Sequence, residues 1–531
     1  MGSTVKFQEL DSRKIFWLLF TLCIGIRVYL FFCTYVIARD SAQYMGMAEL
    51  FLTGRFLTAF EYITPPFYPL LLAGMKLVIS DPEIAGKLVS LLLGTCAFFP
   101  LYYLGKRFFE QKVVFVGLFL FAIHPYLVRY SAEVLSESTF IFLSITGFWL
   151  LWKGWEERRY LFCALAGFIL ALSCLTRAQG FIWLGTIVTV PFVFSLIRRE
   201  KEKDRRTLWV SFLVAAFAFL LVILPYSCFL KSITGEWTIR QDGGYSILMG
   251  TGYSQKQGLW VALGTLLSHP LYLVNKLGLN MGTLFLLLPE TIHYPFIVLL
   301  VIGLLAWKHT KRHLQGELYL AVICLVYVLG HCFLYLKVRY LLSIVPFALF
   351  WVGQGFWVIV SWVQKFCARY NFPRLMEPHR ALFVTAFLIC LTASSALPKT
   401  LLPQRLDKLD RKEIGNRIAA LFSEHPLVLA TDPRIEFYSQ GHLLDRRKRT
   451  IGTFAELLEY AHAHNVDIIV MDIKELHDEG RYGDLTRDFF AHADHPDLEL
   501  LFVYPIEDET SSPRFYVYRL IAEGKQPEGT P

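Results

Sequence analysis

The chain has 531 residues, of which 55% are hydrophobic and only 18% are charged. A mean hydropathy of +0.45 is too high for a soluble protein of this length, so the composition excludes an ordinary soluble enzyme. The formal net charge is +8, but the basic residues lie in short clusters between apolar runs. That distribution is typical of membrane loops and argues against nucleic acid as a partner.

Long apolar runs follow one another through most of the chain. A spanning helix needs about 20 mostly apolar residues, and on this criterion we predict about eleven spans. They are 14–37, 84–105, 113–130, 137–153, 160–176, 179–197, 207–229, 293–307, 315–335, 340–362 and 381–397. The runs 65–79 and 279–290 are shorter and interrupted by Pro or Gly, so they are predicted to be interfacial or re-entrant. The first run is too long for a signal-peptide core and is predicted to be an uncleaved span.

Lysine and arginine predict the orientation, because short cytoplasmic loops are enriched in them. Basic clusters occupy alternate loops: Arg13/Lys14, Lys106/Arg107/Lys112, Lys153/Arg158/Arg159, Arg198–Arg206, Lys308/Lys311/Arg312 and Lys365/Arg369/Arg374. The N-terminus is therefore predicted to be cytoplasmic and the C-terminus exoplasmic. Three segments would then lie on the outer face: 38–83, 230–292 and 398–531.

The fold class predicted is a mostly α, polytopic membrane protein with a small soluble domain. Residues 1–400 would form the membrane domain and 401–531 an exoplasmic α/β domain. The second region contains short apolar strands separated by helical patterns such as Thr453–His464. Its strands are predicted at Leu427–Ala430, Asp467–Met471, Leu498–Tyr504 and Phe515–Tyr518. A module that only adds stability would have the same pattern.

Charged residues at the outer ends of spans are the candidates for chemistry, since charges are costly in hydrocarbon. Asp40 directly follows the first span, where partial desolvation favours a general base. Pairing with Arg39 or helix capping explains Asp40 equally well. Glu137 lies in a first helical turn, where the helix dipole also favours an acid. Arg177 and the Lys337–Arg339 segment are cations that could hold a phosphate or extend to lipid headgroups.

The remaining motifs indicate no cofactor. Ten cysteines are scattered through or beside apolar segments without metal-ligand or disulfide spacing. His124 and His331 have no acidic or cysteine partner at metal spacing and are predicted to pack between helices. The sequence contains no P-loop, dinucleotide-binding glycine motif or nucleophile elbow. No metal site is predicted, and lone acids argue weakly against a divalent metal.

In order along the chain, these pieces resemble the GT-C superfamily of polyprenyl-phosphate-sugar-dependent glycosyltransferases. Within it they are most similar to bacterial protein O-mannosyltransferase-like enzymes and the lipid A aminoarabinose transferase. The matching residues are Arg39-Asp40-Ser41-Ala42-Gln43-Tyr44, Pro65-Pro66-Phe67-Tyr68-Pro69, Ser136-Glu137, Leu175-Thr176-Arg177 and Arg339-Tyr340-Leu341-Leu342 with Pro346. The resemblance covers roughly residues 10–400. Ser41 stands where eukaryotic protein mannosyltransferases have a second carboxylate, and Thr64 stands where relatives often have His or Lys.

The resemblance implies an inverting glycosyltransferase of the inner membrane. Its donor would be a sugar on a polyprenyl phosphate, and its acceptor a hydroxyl of a protein, lipid or glycan on the exoplasmic face. Asp40 would be the catalytic base and Glu137 an acid near the acceptor. Arg339 would face the lipid phosphate, with Arg177 a weaker candidate for that task. The further residues implied to contact the lipid phosphate or the sugar are Arg39, Tyr44, Tyr68, Lys337 and Tyr340.

Two other classes of protein share parts of this pattern. A secondary transporter usually has internal repeats and ionisable residues near the bilayer midplane. Here the span interiors are nearly free of charge and the ionisable residues gather at outer ends, which favours an enzyme. A lipid-linked polysaccharide ligase or polymerase also has many spans and outer cations. Such an enzyme does not require an aspartate directly after the first span.

Overall fold

The computed structural model describes residues 2–197, 202–240, 247–248, 258–306, 311–369, 380–422, 426–440, 452–474, 483–505 and 514–521. The chain divides into two compact units. Met1–Cys33 and Met47–Leu402 form the first, which we call the membrane unit. Thr34–Gly46 and Pro403–Pro531 form the second, which we call the α/β unit.

Helices make up the regular structure described in the membrane unit. Up to the middle of the chain they are Gly2–Phe32, Arg39–Leu52 (which begins in the α/β unit), Phe56–Phe60, Phe67–Lys76, Pro82–Cys96, Phe98–Phe108, Gln111–Ile123, Pro125–Ala132, Glu137–Glu156, Tyr160–Thr176, Ile182–Ile197 and Glu202–Thr234. They continue with Leu259–Ser268, Pro270–Ile292, Tyr294–Leu305, Lys311–Phe333, Val338–Leu341, Val345–Arg369 and Arg380–Leu401. Short 3-10 turns occupy Ala178–Phe181 and Leu342–Ile344.

Eight helical stretches within the described residues are long and apolar enough to cross a membrane. They are Ser12–Phe32, Pro82–Phe108, Ala178–Ile197, Asp204–Thr234, Pro270–Ile292, Leu314–Phe333, Val338–Phe366 and Phe383–Leu401. The bent pair Gln111–Ile123 and Pro125–Ala132 would make a ninth. The predicted fold class, a mostly α polytopic membrane protein, is therefore confirmed. The described residues contain eight or nine stretches of spanning length instead of the eleven predicted, and two of the predicted spans, Tyr160–Thr176 and Tyr294–Leu305, are shorter apolar helices.

Two details differ from the sequence prediction. Residues 279–290, predicted to be a short interfacial or re-entrant piece, are part of the continuous helix Pro270–Ile292. Pro289 lies in the last turn of that helix, so the hydrogen bond that it cannot donate is lost close to the helix end. It therefore does not divide the span. Of the predicted outer loop 230–292, residues 241–246 and 249–257 lie outside the described part of the chain.

The predicted span 113–130 is bent by 52° at His124. Pro125 begins the second helix, where a proline costs no hydrogen bond. The bend leaves the last carbonyls of Gln111–Ile123 without helical partners. The buried guanidinium of Arg27 donates to two of them, Phe121 O at 3.3 Å and Ala122 O at 3.5 Å. An arginine inside the first span is thus explained by the broken helix beside it.

The α/β unit contains a four-stranded sheet in the order β1-β2-β4-β3. The strands are β1 Val428–Ala430, β2 Ile468–Asp472, β3 Leu498–Tyr504 and β4 Phe515–Leu520, close to the predicted positions. β1 and β2 are parallel, with Leu429 opposite Ile469, whereas β4 is antiparallel to both β2 and β3. The helices of this unit are Leu409–Leu421, Pro433–Tyr438, Phe454–Ala463 and Gly483–Ala491.

Both faces of this sheet are covered. Successive residues of a strand point to opposite faces, and here the two sets belong to two separate buried clusters. Leu429 and Ile469 pack with the helix Phe454–Ala463, whereas Val428 and Ile468 pack with Ile414 and its helix. Because β1 and β2 are buried on both sides, they appear in the sequence as continuous apolar runs.

Candidate active site

Two arginines meet one buried carboxylate in the membrane unit. Glu137 begins the helix Glu137–Glu156, and its side chain is 2% exposed. Arg177 Nη1 and Arg339 Nε each lie 2.7 Å from Glu137 Oε1. Folding therefore brings together three residues that the sequence indicates separately. We call these three residues the Glu137 cluster.

Local structure explains how each cluster member reaches its position. Glu137 lies in the first turn of its helix, where backbone N–H groups favour a negative charge. Arg177 follows the end of Tyr160–Thr176 in an extended conformation, at the end of a helix where a cation is favoured. Arg177 Nη1 also donates to Ser136 Oγ at 3.0 Å. Arg339 lies in the short helix Val338–Leu341.

An aromatic ring lies beside both cations. The guanidinium carbons of Arg177 and Arg339 are 5.5 and 6.0 Å from the ring centroid of Tyr340, within the range of a cation–π interaction. The Tyr327 hydroxyl fixes the backbone at this point, because it donates to Tyr340 O at 3.1 Å and lies 3.2 Å from Ser343 Oγ. Tyr340, predicted as a ligand contact, therefore lies at the Glu137 cluster.

The charge and burial of the Glu137 cluster suit an anion. Two guanidinium groups against one carboxylate leave a net positive charge in surroundings where charges are poorly solvated. The side chain of Arg177 is 9% exposed, whereas that of Arg339 is 25% exposed. Arg339 is thus the more accessible cation, and guanidinium geometry matches a phosphate with two parallel hydrogen bonds.

Two residues beside the Glu137 cluster were not predicted to be site residues. Tyr130 is close enough to interact electrostatically with Glu137 and Arg339. His331, predicted to pack between helices, donates from Nδ1 to Tyr327 O at 3.0 Å, so its Nε2 is an acceptor. That buried Nε2 has no hydrogen-bond partner within the described structure. The sequence signal that could have indicated His331 is its distance of four residues from Tyr327, which places both residues on one face of a helix.

The predicted contacts Tyr68 and Lys337 have different surroundings. Tyr68 is fully buried, and its hydroxyl lies 3.1 Å from Ser90 Oγ. Ser90 Oγ in turn donates to Leu135 O at 3.2 Å, two residues before Glu137. Lys337 is exposed, and its Nζ lies 4.9 Å from the ring centroid of Tyr335. Tyr68 is therefore built into the packing, whereas Lys337 is accessible from outside.

Asp40 and its neighbours belong to the α/β unit. Asp40 is in the first turn of the helix Arg39–Leu52 and is partly buried. Arg39 Nη2 donates to Thr431 O at 3.2 Å, directly after β1. Tyr44, one turn further along the helix, is buried. Three of the predicted site residues are thus part of the unit that contains the sheet.

Metal ligands do not gather in the described part of the chain. Among those residues, no group of three or more His, Cys, Asp or Glu side chains is arranged to hold a metal ion. The carboxylates Asp40 and Glu137 lie in the α/β unit and the membrane unit respectively.

Comparison with known proteins agrees with this architecture. Residues 64–227, less than half of the chain, match the model of the dolichyl-phosphate-mannose-protein mannosyltransferase family. The matched region contains Tyr68, Glu137 and Arg177, whereas Asp40 and Arg339 lie outside it. No curated protein sequence matches the chain.

Solved structures share the fold over most of the chain. ArnT from Cupriavidus metallidurans bound to undecaprenyl phosphate matches with a TM-score of 0.60 and 14% identity, covering 96% of this chain and 99% of that one. The oligosaccharyltransferase AglB from Archaeoglobus fulgidus, in complex with an inhibitory peptide and a dolichol-phosphate, matches with a TM-score of 0.55 and 13% identity. That match covers 88% of this chain and 70% of AglB. The chain thus has the fold of these membrane glycosyltransferases, and its residues 64–227 match a mannosyltransferase family.

Proposed function

We propose that the chain transfers a monosaccharide from a polyprenyl phosphate to a hydroxyl group of a protein, lipid or glycan on the exoplasmic face of the inner membrane. The observation that carries the proposal is the Glu137 cluster, in which two arginines meet one buried carboxylate. Its net positive charge and its accessible guanidinium suit the phosphate of a lipid carrier. The polyprenyl phosphates bound by ArnT and AglB support the same donor class.

The proposed reaction is a single displacement at the anomeric carbon. The acceptor oxygen forms a bond to that carbon while the bond from the carbon to the phosphate oxygen breaks, so the anomeric configuration inverts. Asp40 takes the proton of the acceptor hydroxyl as general base. The departing phosphate carries the electron pair and is stabilised by Arg339 and Arg177.

In this proposal Glu137 holds the two arginines in place. Both guanidinium groups bond to the same oxygen, Oε1, so the carboxylate fixes their separation. A fixed donor pair stabilises developing charge better than mobile side chains do, because it needs no reorganisation during the reaction. The role near the acceptor that the family resemblance implies for Glu137 is the alternative.

Replacing Arg339 tests the phosphate assignment. We expect Arg339→Ala to lower transfer by about 10²-fold, the usual cost of losing one donor to developing charge. Arg339→Lys keeps a charge but not the paired hydrogen bonds, so it should retain part of the activity. The assay is release of polyprenyl phosphate, followed by mass spectrometry, from polyprenyl-phosphate sugars extracted from host membranes. Glycolipids and proteins of the same membranes serve as acceptors.

The matched control is Arg158→Ala, because Arg158 is an exposed arginine paired with Asp204 at 2.8 Å. Full activity in Arg339→Ala would remove Arg339 from the proposed site. Comparing the glycolipids and glycoproteins of a strain that lacks the gene with those of the complemented strain then identifies the sugar and the acceptor.

The division of the chain into two units supports the proposed orientation. Residues 34–46 follow the first span and form one compact unit with residues 403–531. Segments that pack into one unit are expected on the same side of a membrane, which supports a common side for residues 34–46 and 403–531. Arg13 and Lys14 before the first span favour a cytoplasmic N-terminus and therefore support an exoplasmic side for both segments.

A reporter fused after residue 402 checks this orientation. We expect alkaline phosphatase at that position to be active and a fluorescent protein that folds only in the cytoplasm to be dark. The same pair of reporters fused in the basic loop after Ile197 should give the opposite result. A fluorescent signal after residue 402 would contradict the exoplasmic assignment.

A further inference from the structure

We infer that the α/β unit is part of the catalytic apparatus: the end of β1 and the helix Pro433–Tyr438 position Asp40 through the backbone of residues 34–39. This inference rests on the proposed function, in which Asp40 is the base. It assigns Arg39 and Tyr438 as positioning residues and gives the C-terminal region a role beyond stability.

The backbone before Asp40 is bound to the C-terminal part of the α/β unit, residues 403–531, at several points. Tyr35 N donates to Gln404 O at 3.2 Å, and Tyr35 O accepts from Lys412 Nζ at 3.2 Å. Ile37 N donates to the Tyr438 hydroxyl at 2.9 Å. Val36 and Ile37 are almost fully buried. The segment is thus held by backbone hydrogen bonds and by packing until the helix that carries Asp40 begins.

Arg39 adds a contact directly beside Asp40. Its Nη2 donates to the carbonyl of Thr431, the residue that follows β1. Arg39 therefore connects the helix that carries Asp40 to the end of β1. The hydrogen bond links the first residue of the helix Arg39–Leu52 to the end of β1, and Asp40 is in the first turn of that helix.

The two contact residues of the unit, Thr431 and Tyr438, are connected by a rigid corner. Asp432 lies between β1 and the helix Pro433–Tyr438 and caps that helix by accepting from Arg434 N at 3.1 Å. Ala430 N donates to Glu436 Oε1 at 3.0 Å, which ties the end of β1 to the same helix. The positions of Thr431 and Tyr438 are therefore set together.

Buried ion pairs hold this corner and connect it to β2. Arg434 Nε donates to Asp432 Oδ1 at 2.9 Å within the corner. Arg411, on the helix Leu409–Leu421, lies 3.0 Å from Asp432 Oδ2 through Nε and 3.6 Å from Asp472 Oδ2 of β2 through Nη2. Burial raises the pKa of Asp432, but the hydrogen bond and the charge of Arg434, aided by Arg411, outweigh it and hold that pKa well below its usual range. Asp432 is therefore ionised at neutral pH. Breaking such a pair on one side is costly, so the corner resists displacement.

The position of Asp40 matters because a general base must lie within hydrogen-bond distance of the hydroxyl whose proton it takes. A displacement of 1 Å can cost about 10²-fold in rate. The sheet and the ion pairs provide a rigid support for a base that lies outside any strand. A module that only adds stability would not need contacts to the residue next to Asp40.

Arg39→Ala and Tyr438→Phe test the inference in the full-length protein. Tyr438→Phe removes only the oxygen that accepts from Ile37 N. We expect both variants to lower kcat by about 10-fold or more, in line with a partly misplaced base, while KM for the extracted polyprenyl-phosphate sugars stays within about 2-fold. Arg39→Lys can still donate to Thr431 O and should recover most of kcat. If Arg39 instead bound the lipid phosphate, KM would rise, and the inference would be wrong.

A second readout separates positioning from stability. In an Asp40→Asn background, Arg39→Ala and Tyr438→Phe should cause no further loss, because they act through Asp40. Additive losses, or losses matched by a lower unfolding temperature, would overturn the inference. Arg487→Ala is the control, since Arg487 forms an exposed pair with Asp484 elsewhere in the same unit. It should behave as wild type.

The two hypotheses fail in different ways. If Asp40→Asn is fully active, the proposed base is wrong. If Asp40→Asn is inactive while Arg39→Ala and Tyr438→Phe keep wild-type kcat, only the positioning role is wrong.

Discussion

We expect Asp40→Asn to lower sugar transfer by about 10²–10⁴-fold, the usual contribution of a positioned general base. Asparagine keeps the size and hydrogen-bonding shape of aspartate but cannot accept the proton. Asp40 lies partly buried in the first turn of the helix Arg39–Leu52. The change should therefore leave insertion and folding intact. Release of polyprenyl phosphate from extracted lipid-linked sugars measures the effect.

Glu49→Gln is the matched control for this substitution. Glu49 lies on the same helix, its side chain is 54% exposed, and it pairs with Lys76. The chemical change is the same, but exposed ion pairs contribute about 0–1 kcal/mol, so activity and expression should stay near wild type. Equal activity in Asp40→Asn and Glu49→Gln would rule out Asp40 as the base. Equal loss in both would point to damage to the helix.

Much of the fold could be predicted because its signals are local. A run of apolar residues long enough to cross the bilayer indicates a span wherever it occurs. The strands β1 and β2 of the α/β unit were equally clear, since each contains a short apolar run such as Ile468 to Met471. Two of the errors occurred at proline. Pro289 does not interrupt its helix, whereas the sequence around Pro125 hides a bend of 52°.

The candidate site was only partly predictable, because its contacts join distant positions. Glu137 and Arg339 were each indicated by their places at outer ends of spans, yet they are 202 positions apart in the chain. Nothing in their spacing predicts that one carboxylate oxygen holds both Arg339 and Arg177. The hydrogen bond from Ile37 to Tyr438 spans 401 positions. Its existence depends on how the sheet packs against residues 34–46.

Glu137→Gln should have the largest effect within the membrane unit. Glutamine keeps the shape of the side chain but removes the only negative charge of the Glu137 cluster. Arg177 and Arg339 then repel each other and lose the charged oxygen that fixes their separation. Each donor to developing charge contributes about 10²–10³-fold, so losing the geometry of both should lower transfer by about 10³-fold or more.

A double-mutant cycle distinguishes an ordered donor pair from two independent cations. If Glu137 acts by holding Arg339, adding Arg339→Ala to Glu137→Gln should cost much less than the 10²-fold that it costs alone. Fully additive losses would mean that Glu137 contributes separately, as expected for an acid that contacts the acceptor.

Glu133→Gln controls for the cost of disturbing a buried ion pair. Glu133 is as buried as Glu137 and lies one turn before it in sequence, and its Oε1 accepts from Arg129 Nε at 3.0 Å. Breaking a buried pair on one side costs about 3–5 kcal/mol, so both variants should unfold at lower temperature than wild type. Only Glu137→Gln should also lose transfer when the two are assayed as folded protein. Equal loss of transfer in Glu133→Gln would assign the effect to packing near residue 137.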